Sequence, residues 1–392
     1  MALTHRGEGS MLRFPGFEGL RGWLAWTVVL DHLVLNAGLN ARLPMLGRLP
    51  LLGAGAVLVF VIISGFVITH LVVERHETYG RYLQRRALRI YPIYLVALLA
   101  GALGTALSFA TFLHGRQDVF LFPFQASLAR DYDSLAAHPL AHWLLHLGLL
   151  HGAVPRELLF DSPDMLLPPA WSLSLEWQFY LVAPLVVWAA RRKLASIALA
   201  IVIDALFVAY AHGRFGSFQA PSFLPGAGLF FAVGIASRLA LAPSAQRGSW
   251  IALALIALAY VKMRAPLWPL LVWAGFFGAA LLPAGVGRAR AAVRGAFRAL
   301  FDSRLAQHLG APSYSTYLLH MPVIQAIQYL VTRPPGLSVP AANLTLVLGT
   351  LALTYLLSQI TYRCIELPAM ALGRRRIGAP PAGADGRPLP AG

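Results

Sequence analysis

Phe17-Glu18-Gly19-Leu20-Arg21-Gly22-Trp23-Leu24-Ala25-Trp26-Thr27-Val28-Val29-Leu30-Asp31-His32-Leu33 begins a mostly apolar run that ends near Asn36. Its length suits one passage through a bilayer, which takes about 20 residues of helix. Yet it carries Glu18, Arg21, Asp31 and His32. Ionisable side chains at membrane depth are costly, so they are functional candidates by default. Arg21 and His32 are eleven residues apart; at about 100° per residue they share a helix face, roughly 16 Å apart along the axis. One face therefore offers a fixed cation near one membrane surface and a titratable imidazole towards the other. A snorkelling arginine and a structural histidine bonded to a neighbouring helix would produce the same pattern in this stretch alone.

The rest of the chain places this run among others like it. The chain has 392 residues, is 58% hydrophobic and only 12% charged, and has a mean hydropathy of +0.64. A soluble domain carries about 25% charged residues. The composition therefore indicates an all-α integral membrane protein, a bundle of about ten transmembrane helices. The spans read roughly as 17–38, 50–73, 88–112, 171–190, 194–212, 222–241, 249–262, 266–284, 310–331 and 341–362. The first run is long and has no small-residue cleavage site, so it is expected to stay as a span rather than leave as a signal peptide.

The formal net charge is +16. In a soluble protein such an excess would suggest nucleic acid; in a membrane protein the positive-inside bias explains it, and no nucleic-acid partner is expected. With the N-terminus in the cytoplasm, most of the 32 basic residues fall on the inner side, and an even span count returns the C-terminus there too. The expected organisation is a cytoplasmic segment at 1–16 and a membrane domain at 17–372. An outer loop occupies 114–169, and a Pro-, Gly- and Ala-rich tail at 373–392 is expected to be disordered. Within the loop, Pro139 to His151 is too short to cross and reads as an interfacial or re-entrant helix over the outer mouth. Its His138, His142 and His146 share a face and read as interfacial histidines rather than a metal site. Cys364 is the only cysteine, which excludes an internal disulfide and a thiolate cluster. No metal and no bound cofactor is expected.

Several polar constellations interrupt the spans. Phe60-Val61-Ile62-Ile63-Ser64-Gly65-Phe66 puts a Ser-Gly pair in the second span, where it permits a kink or a close helix approach. Arg85-Arg86-Ala87-Leu88-Arg89-Ile90-Tyr91-Pro92 places Arg86 and Arg89 on one face at the start of the third span. Ordinary topogenic charge accounts for Arg85 better than for Arg89, which begins the apolar run. Paired forked guanidiniums there suit a phosphorylated ligand. Trp171-Ser172-Leu173-Ser174-Leu175-Glu176 begins the fourth span. It sets Glu176 roughly 7 Å below the outer end of its helix and His32 roughly 9 Å below the outer end of its own. At matched depths the two could pair, the carboxylate raising the basicity of the imidazole. Asp31 is the rival partner, but points about 100° away. Ser313, Tyr317 and His320 share a face of the ninth span, as helix glue or as site residues. The tenth span runs out through Glu366-Leu367-Pro368.

Taken in order, these motifs resemble the membrane acyltransferase-3 family, the O-antigen acetylase-like enzymes. The resemblance runs from about Phe17 to Pro368. It rests on the Arg21-to-His32 spacing, the Phe60-to-Phe66 stretch, Arg86 and Arg89 before Tyr91-Pro92, Trp171 to Glu176, the Ser313-Tyr314 to His320 run, and Glu366-Leu367-Pro368. It implies a multi-pass enzyme of the bacterial inner membrane that moves an acyl group, usually acetyl, from cytoplasmic acyl-CoA to a hydroxyl of a glycan or lipid-linked sugar. It also implies roles for the arginine-histidine pair and for the Arg86/Arg89 pair.

The resulting expectation puts the donor phosphates on Arg86, Arg89 and Arg21. His32 acts as general base, Glu176 orients it, and Ser64 or Tyr317 serves as an oxyanion donor. Arg21 and Asp31 complete the candidate catalytic set. A carrier with a His and carboxylate proton relay is the competing class, though no inverted repeat supports it.

Overall fold

The structure is a computed structural model that describes residues 16–39, 50–75, 77–115, 125–241, 267–282, 287–333 and 337–376. Among these residues helices are the only regular elements, apart from one isolated bridge between Arg214 and Gly216. They are α1 (Phe17–Asn36), α2 (Pro50–Glu74), α3 (Tyr79–His114), α4 (Gln125–Ala137), α5 (Pro139–Leu147), α6 (Trp171–Ala190) and α7 (Lys193–Ala211). After them come α8 (Leu224–Leu239), α9 (Trp268–Leu281), α10 (Arg288–Phe297), α11 (Arg304–Gly310), α12 (Ser313–Val331), α13 (Val339–Thr361) and α14 (Leu367–Arg376).

Five helical stretches are long and apolar enough to cross a membrane: Leu52–Glu74, Tyr79–His114, Pro168–Ala190, Lys193–Ala211 and Val339–Gly373. α8 and α9 are apolar but shorter. Every expected span coincides with a helix except 249–262, which lies outside the described residues, as do 1–15 and 377–392. The helix expected from residue 88 begins instead at Tyr79. Arg81, Arg85, Arg86 and Arg89 therefore ride on one continuous helix of 36 residues, far longer than the hydrocarbon thickness requires.

α2 is the centre of the bundle. Of its spanning window, 78% is enclosed by protein, against 17% for α7 and 22% for the α13–α14 stretch. Glycines make this possible. A Cβ on Gly65 would strike the carbonyl oxygen of Phe231, and one on Gly234 would lie 2.6 Å from the Phe66 nitrogen. The two backbones thus touch from both sides, as small residues permit at helix crossings. The Ser64-Gly65 pair is therefore a close helix approach. The same device joins α1 to α11, where a Cβ on Gly22 would lie 2.8 Å from the nitrogen of Gly310.

The loop between α3 and α6 folds as a cap. Tyr94 of α3 donates to the His146 carbonyl at 2.8 Å, and Thr105 donates to the Met165 carbonyl at 3.0 Å. Phe160 lies between two guanidiniums, with Arg130 5.0 Å and Arg156 4.6 Å from its ring centre. His142, His146 and His151 have no exposed surface, which corrects the reading of the first two as interfacial residues. His142 bonds Ser134 at 3.0 Å, and the His146 and His151 rings stack 4.1 Å apart. His138 alone of the expected histidine face stays exposed.

Candidate active site

A cavity of about 420 Å³ lies between α1, α2, α3, α6, α12 and α14. Along α2 its wall extends from Val57 to Arg75, roughly 27 Å of chain at the helical rise. The space follows α2 for most of that helix's length. Arg75, Arg85, Arg86 and Arg89 line one end, and Phe60, Ser172 and Tyr317 the other. Arg21 lines the same cavity within electrostatic reach of Arg89 and Glu176. The expected cationic set is therefore brought together.

The arginines differ in how they are held. Arg85 pairs with Glu77 at 2.8 Å. Arg89 pairs with Glu366 at 3.2 Å, lies against the Met370 sulfur and covers the Tyr314 ring at 5.5 Å. The Glu366 side chain is 1% exposed and also accepts from the Ser315 hydroxyl and amide. Arg86 lies over the Tyr180 ring at 5.8 Å, and its buried Nε has no hydrogen-bond partner. A half-buried guanidinium in a cavity wall, with a donor unmatched among the described residues, is a place for an anion.

The Trp171-to-Glu176 stretch works on two faces. Ser172 and Glu176, one turn apart, face the cavity. Ser174, between them, faces the cap, donating to the Leu149 carbonyl at 2.8 Å and accepting from the Gly152 amide at 3.0 Å. Glu176 accepts from Ser64 at 2.8 Å and from Tyr180 at 2.6 Å. Tyr317 donates to the Pro169 carbonyl at 2.9 Å and bonds the Ser172 hydroxyl at 2.8 Å.

The expected His32–Glu176 pair is not formed. His32 Nδ1 lies 2.9 Å from the Val28 carbonyl oxygen and 3.4 Å from Nε2 of His320, and the two rings are 5.0 Å apart. His32 is not part of the cavity wall. It is reached through His320, whose ring neighbours Tyr317 at 6.1 Å. Asp31 also has another task. It is 7% exposed and accepts from the Gly53 backbone amide in the first turn of α2, where helical N–H groups have no internal partner and the dipole favours an anion. That contact links α1 to α2, and Asp31 is not part of the cavity wall. Two partners went unassigned in the sequence: His320, quoted on the Tyr317 face, and Glu366, quoted as a closing motif. Tyr180 was the more legible omission, since it lies one turn from Glu176.

The chain matches the family described as an acyltransferase domain, Acyl_transf_3, over residues 14–363. It belongs to the acyltransferase-3 family. The chain is thus an enzyme, a membrane-bound O-acyltransferase, and its apolar helices accord with a multi-pass protein. An acyltransferase of Streptomyces mycarofaciens, MdmB, is 28% identical over 394 residues, covering 93% of this chain and 94% of the relative. Protein 2 of the picA locus of Rhizobium radiobacter is 28% identical over 212 residues, 52% of this chain and 96% of that protein. No solved structure matches significantly.

Proposed function

We propose that this acyltransferase takes its acyl group, acetyl in the first instance, from acyl-CoA and passes it to a hydroxyl of a glycan or lipid-linked sugar in the bacterial inner membrane. The observation that carries this reading is the cavity: five arginines at or near one end of a long space that continues into the bundle. CoA has phosphates at one end and a narrow pantetheine arm, so charge and shape correspond. The arginine end faces the cytoplasm in this reading, with ten spans and both termini inside. The thioester then stands near Phe60 and Tyr317, one residue layer from the histidines.

In the reaction the thioester passes beyond the layer of Phe60 and Tyr317 to the side of the half-buried His32 ring that His320 does not cover, where the acceptor hydroxyl gives its proton to Nε2 as its oxygen attacks the thioester carbon. The C–O bond forms, the C–S bond breaks, and the proton returns to the thiolate as free CoA. Ser64 and Tyr317 donate their protons to Glu176 and to the Pro169 carbonyl, so the oxyanion is no longer assigned to them. Glu176 stays in the cavity wall as the partner of Ser64 and Tyr180.

The test measures acetyl-CoA binding and CoA release by the full chain in nanodiscs. Arg86→Ala is the affinity variant, because it leaves no ion pair broken. Its KM for acetyl-CoA should rise roughly tenfold, the worth of one hydrogen bond to a charged group, with kcat within about twofold. His32→Ala should bind acetyl-CoA normally and release no CoA. Wild-type protein that fails to bind acetyl-CoA would overturn the donor assignment.

A further inference from the structure

We infer that His320 is the positioning residue for His32, and that it leaves Nε2 of His32 as the atom that accepts the proton. This rests on the reading of His32 as the general base. Two backbone carbonyls set the tautomers of the pair. His320 is fully buried, and its Nδ1 lies 2.7 Å from the Tyr317 carbonyl oxygen. A carbonyl only accepts, so Nδ1 of His320 carries the hydrogen and Nε2 of the neutral ring is a bare acceptor. That acceptor faces Nδ1 of His32 at 3.4 Å. Nδ1 of His32 also lies 2.9 Å from the Val28 carbonyl oxygen, so it too carries its hydrogen, shared between two acceptors. Only Nε2 of His32 is left with a free lone pair.

When Nε2 takes a proton, the imidazolium finds its Nδ1–H already aimed at Val28 and His320, and no partner has to move. This is the orienting work expected of Glu176, whose carboxylate is instead bonded to Ser64 and Tyr180. Both ends of the pair are anchored within α1 and α12. Packing of α1 on α12 therefore sets the attack geometry directly.

The experiment uses the full chain in nanodiscs with acetyl-CoA, and compares wild type, His320→Gln, His320→Asn, His320→Phe and His32→Ala. A glutamine places its amide oxygen where Nε2 was, so it restores the acceptor for His32. An asparagine places its amide where Nδ1 was, so it restores only the bond to Tyr317. His320→Gln should keep kcat within about tenfold of wild type. His320→Asn and His320→Phe should lose about a hundredfold in kcat, the lower end of what a positioned base contributes, with KM within about twofold. A purely structural role predicts that asparagine rescues at least as well as glutamine, and that result would overturn the inference. Full activity of His320→Phe beside a dead His32→Ala would overturn it while sparing the base assignment. An active His32→Ala would remove both. Nitrogen-15 shifts of the His32 ring supply a readout independent of turnover: wild type should show the neutral Nδ1–H form, and an Nε2–H form would refute the inference.

Discussion

At the scale of single residues, the pair of Arg89 and Glu366 separates binding from stability. Glu366 is almost wholly enclosed, whereas Arg89 keeps 30% of its side chain exposed and has the Met370 sulfur and the Tyr314 ring as further neighbours. Removing one member of a buried pair costs about 3–5 kcal/mol when the other is left uncompensated. Arg89→Ala abandons a buried carboxylate. Glu366→Gln abandons an arginine that still reaches the cavity and keeps an acceptor for Ser315. Thermal unfolding should therefore show Arg89→Ala as the less stable of the two, and Arg89→Met with Glu366→Gln as more stable than Arg89→Ala alone; the reverse order would show that Arg89 is the enclosed partner. None of this could be read from the chain, because the partners are separated by 277 positions. The misplaced His32–Glu176 pair has a related cause. Rise per residue gives depth along an axis, and two groups at one depth on different helices can still face different neighbours. His32 found its partner at His320 and Glu176 found its own at Ser64.

At the scale of helices, the site depends on backbone contact between α2 and α8. Gly65 lets α8 come close to α2, and the residue beside it, Ser64, carries the bond from α2 to Glu176 of α6. Gly234→Ala would force a methyl group against the Phe66 nitrogen and the Ile62 carbonyl, and neither can rotate away. The helices must part, at about 1–3 kcal/mol for an overpacked interface, and the part of α2 that moves is the one that carries Ser64. Gly228, on the same helix, has only the Ile203 side chain at 3.5 Å, so alanine there makes an ordinary contact and gains up to about 1 kcal/mol of helix propensity. Gly234→Ala should lower both the melting temperature and CoA release, while Gly228→Ala leaves CoA release unchanged. Equal effects from the two would place the cost in helix flexibility instead. The Ser-Gly pair announced such an approach in the sequence. Its counterpart at Gly234 did not stand out, because one glycine in a glycine-containing span is silent until its neighbour is known.

At the scale of the whole molecule, hydropathy identifies the lipid-facing helices better than the working ones. α7 and the α13–α14 stretch pass as plainly apolar spans and are little buried, whereas α1 and α12, which carry the histidine pair, fall outside that set; the polar groups of α1 and α12 find partners on neighbouring helices. The cap extends this to the loop. Burial holds His142 and His151 down at about 4, whereas an unperturbed histidine titrates near 6.5. Burial, together with the charge of Asp161, pushes Asp131 up to about 7 from about 3.9. The signs oppose. Between about pH 4 and 6.5 the unfolded chain binds more protons at the histidines, so they lose stability as pH falls. Between about pH 4 and 7 the folded chain binds more protons at Asp131, so it loses stability as pH rises. The cap balances one against the other, and removing one side exposes it. Asp131→Asn keeps the shape without the charge. Its melting temperature in nanodiscs should exceed wild type at pH 8, where the buried carboxylate is ionised, and the advantage should shrink as pH is lowered towards 4, where the wild-type carboxyl is protonated in the folded state and about half protonated in the unfolded one. An advantage that stays constant from pH 8 to pH 4 would mean that Asp131 titrates as an ordinary exposed carboxylate and that the cap owes its pH response to the histidines alone.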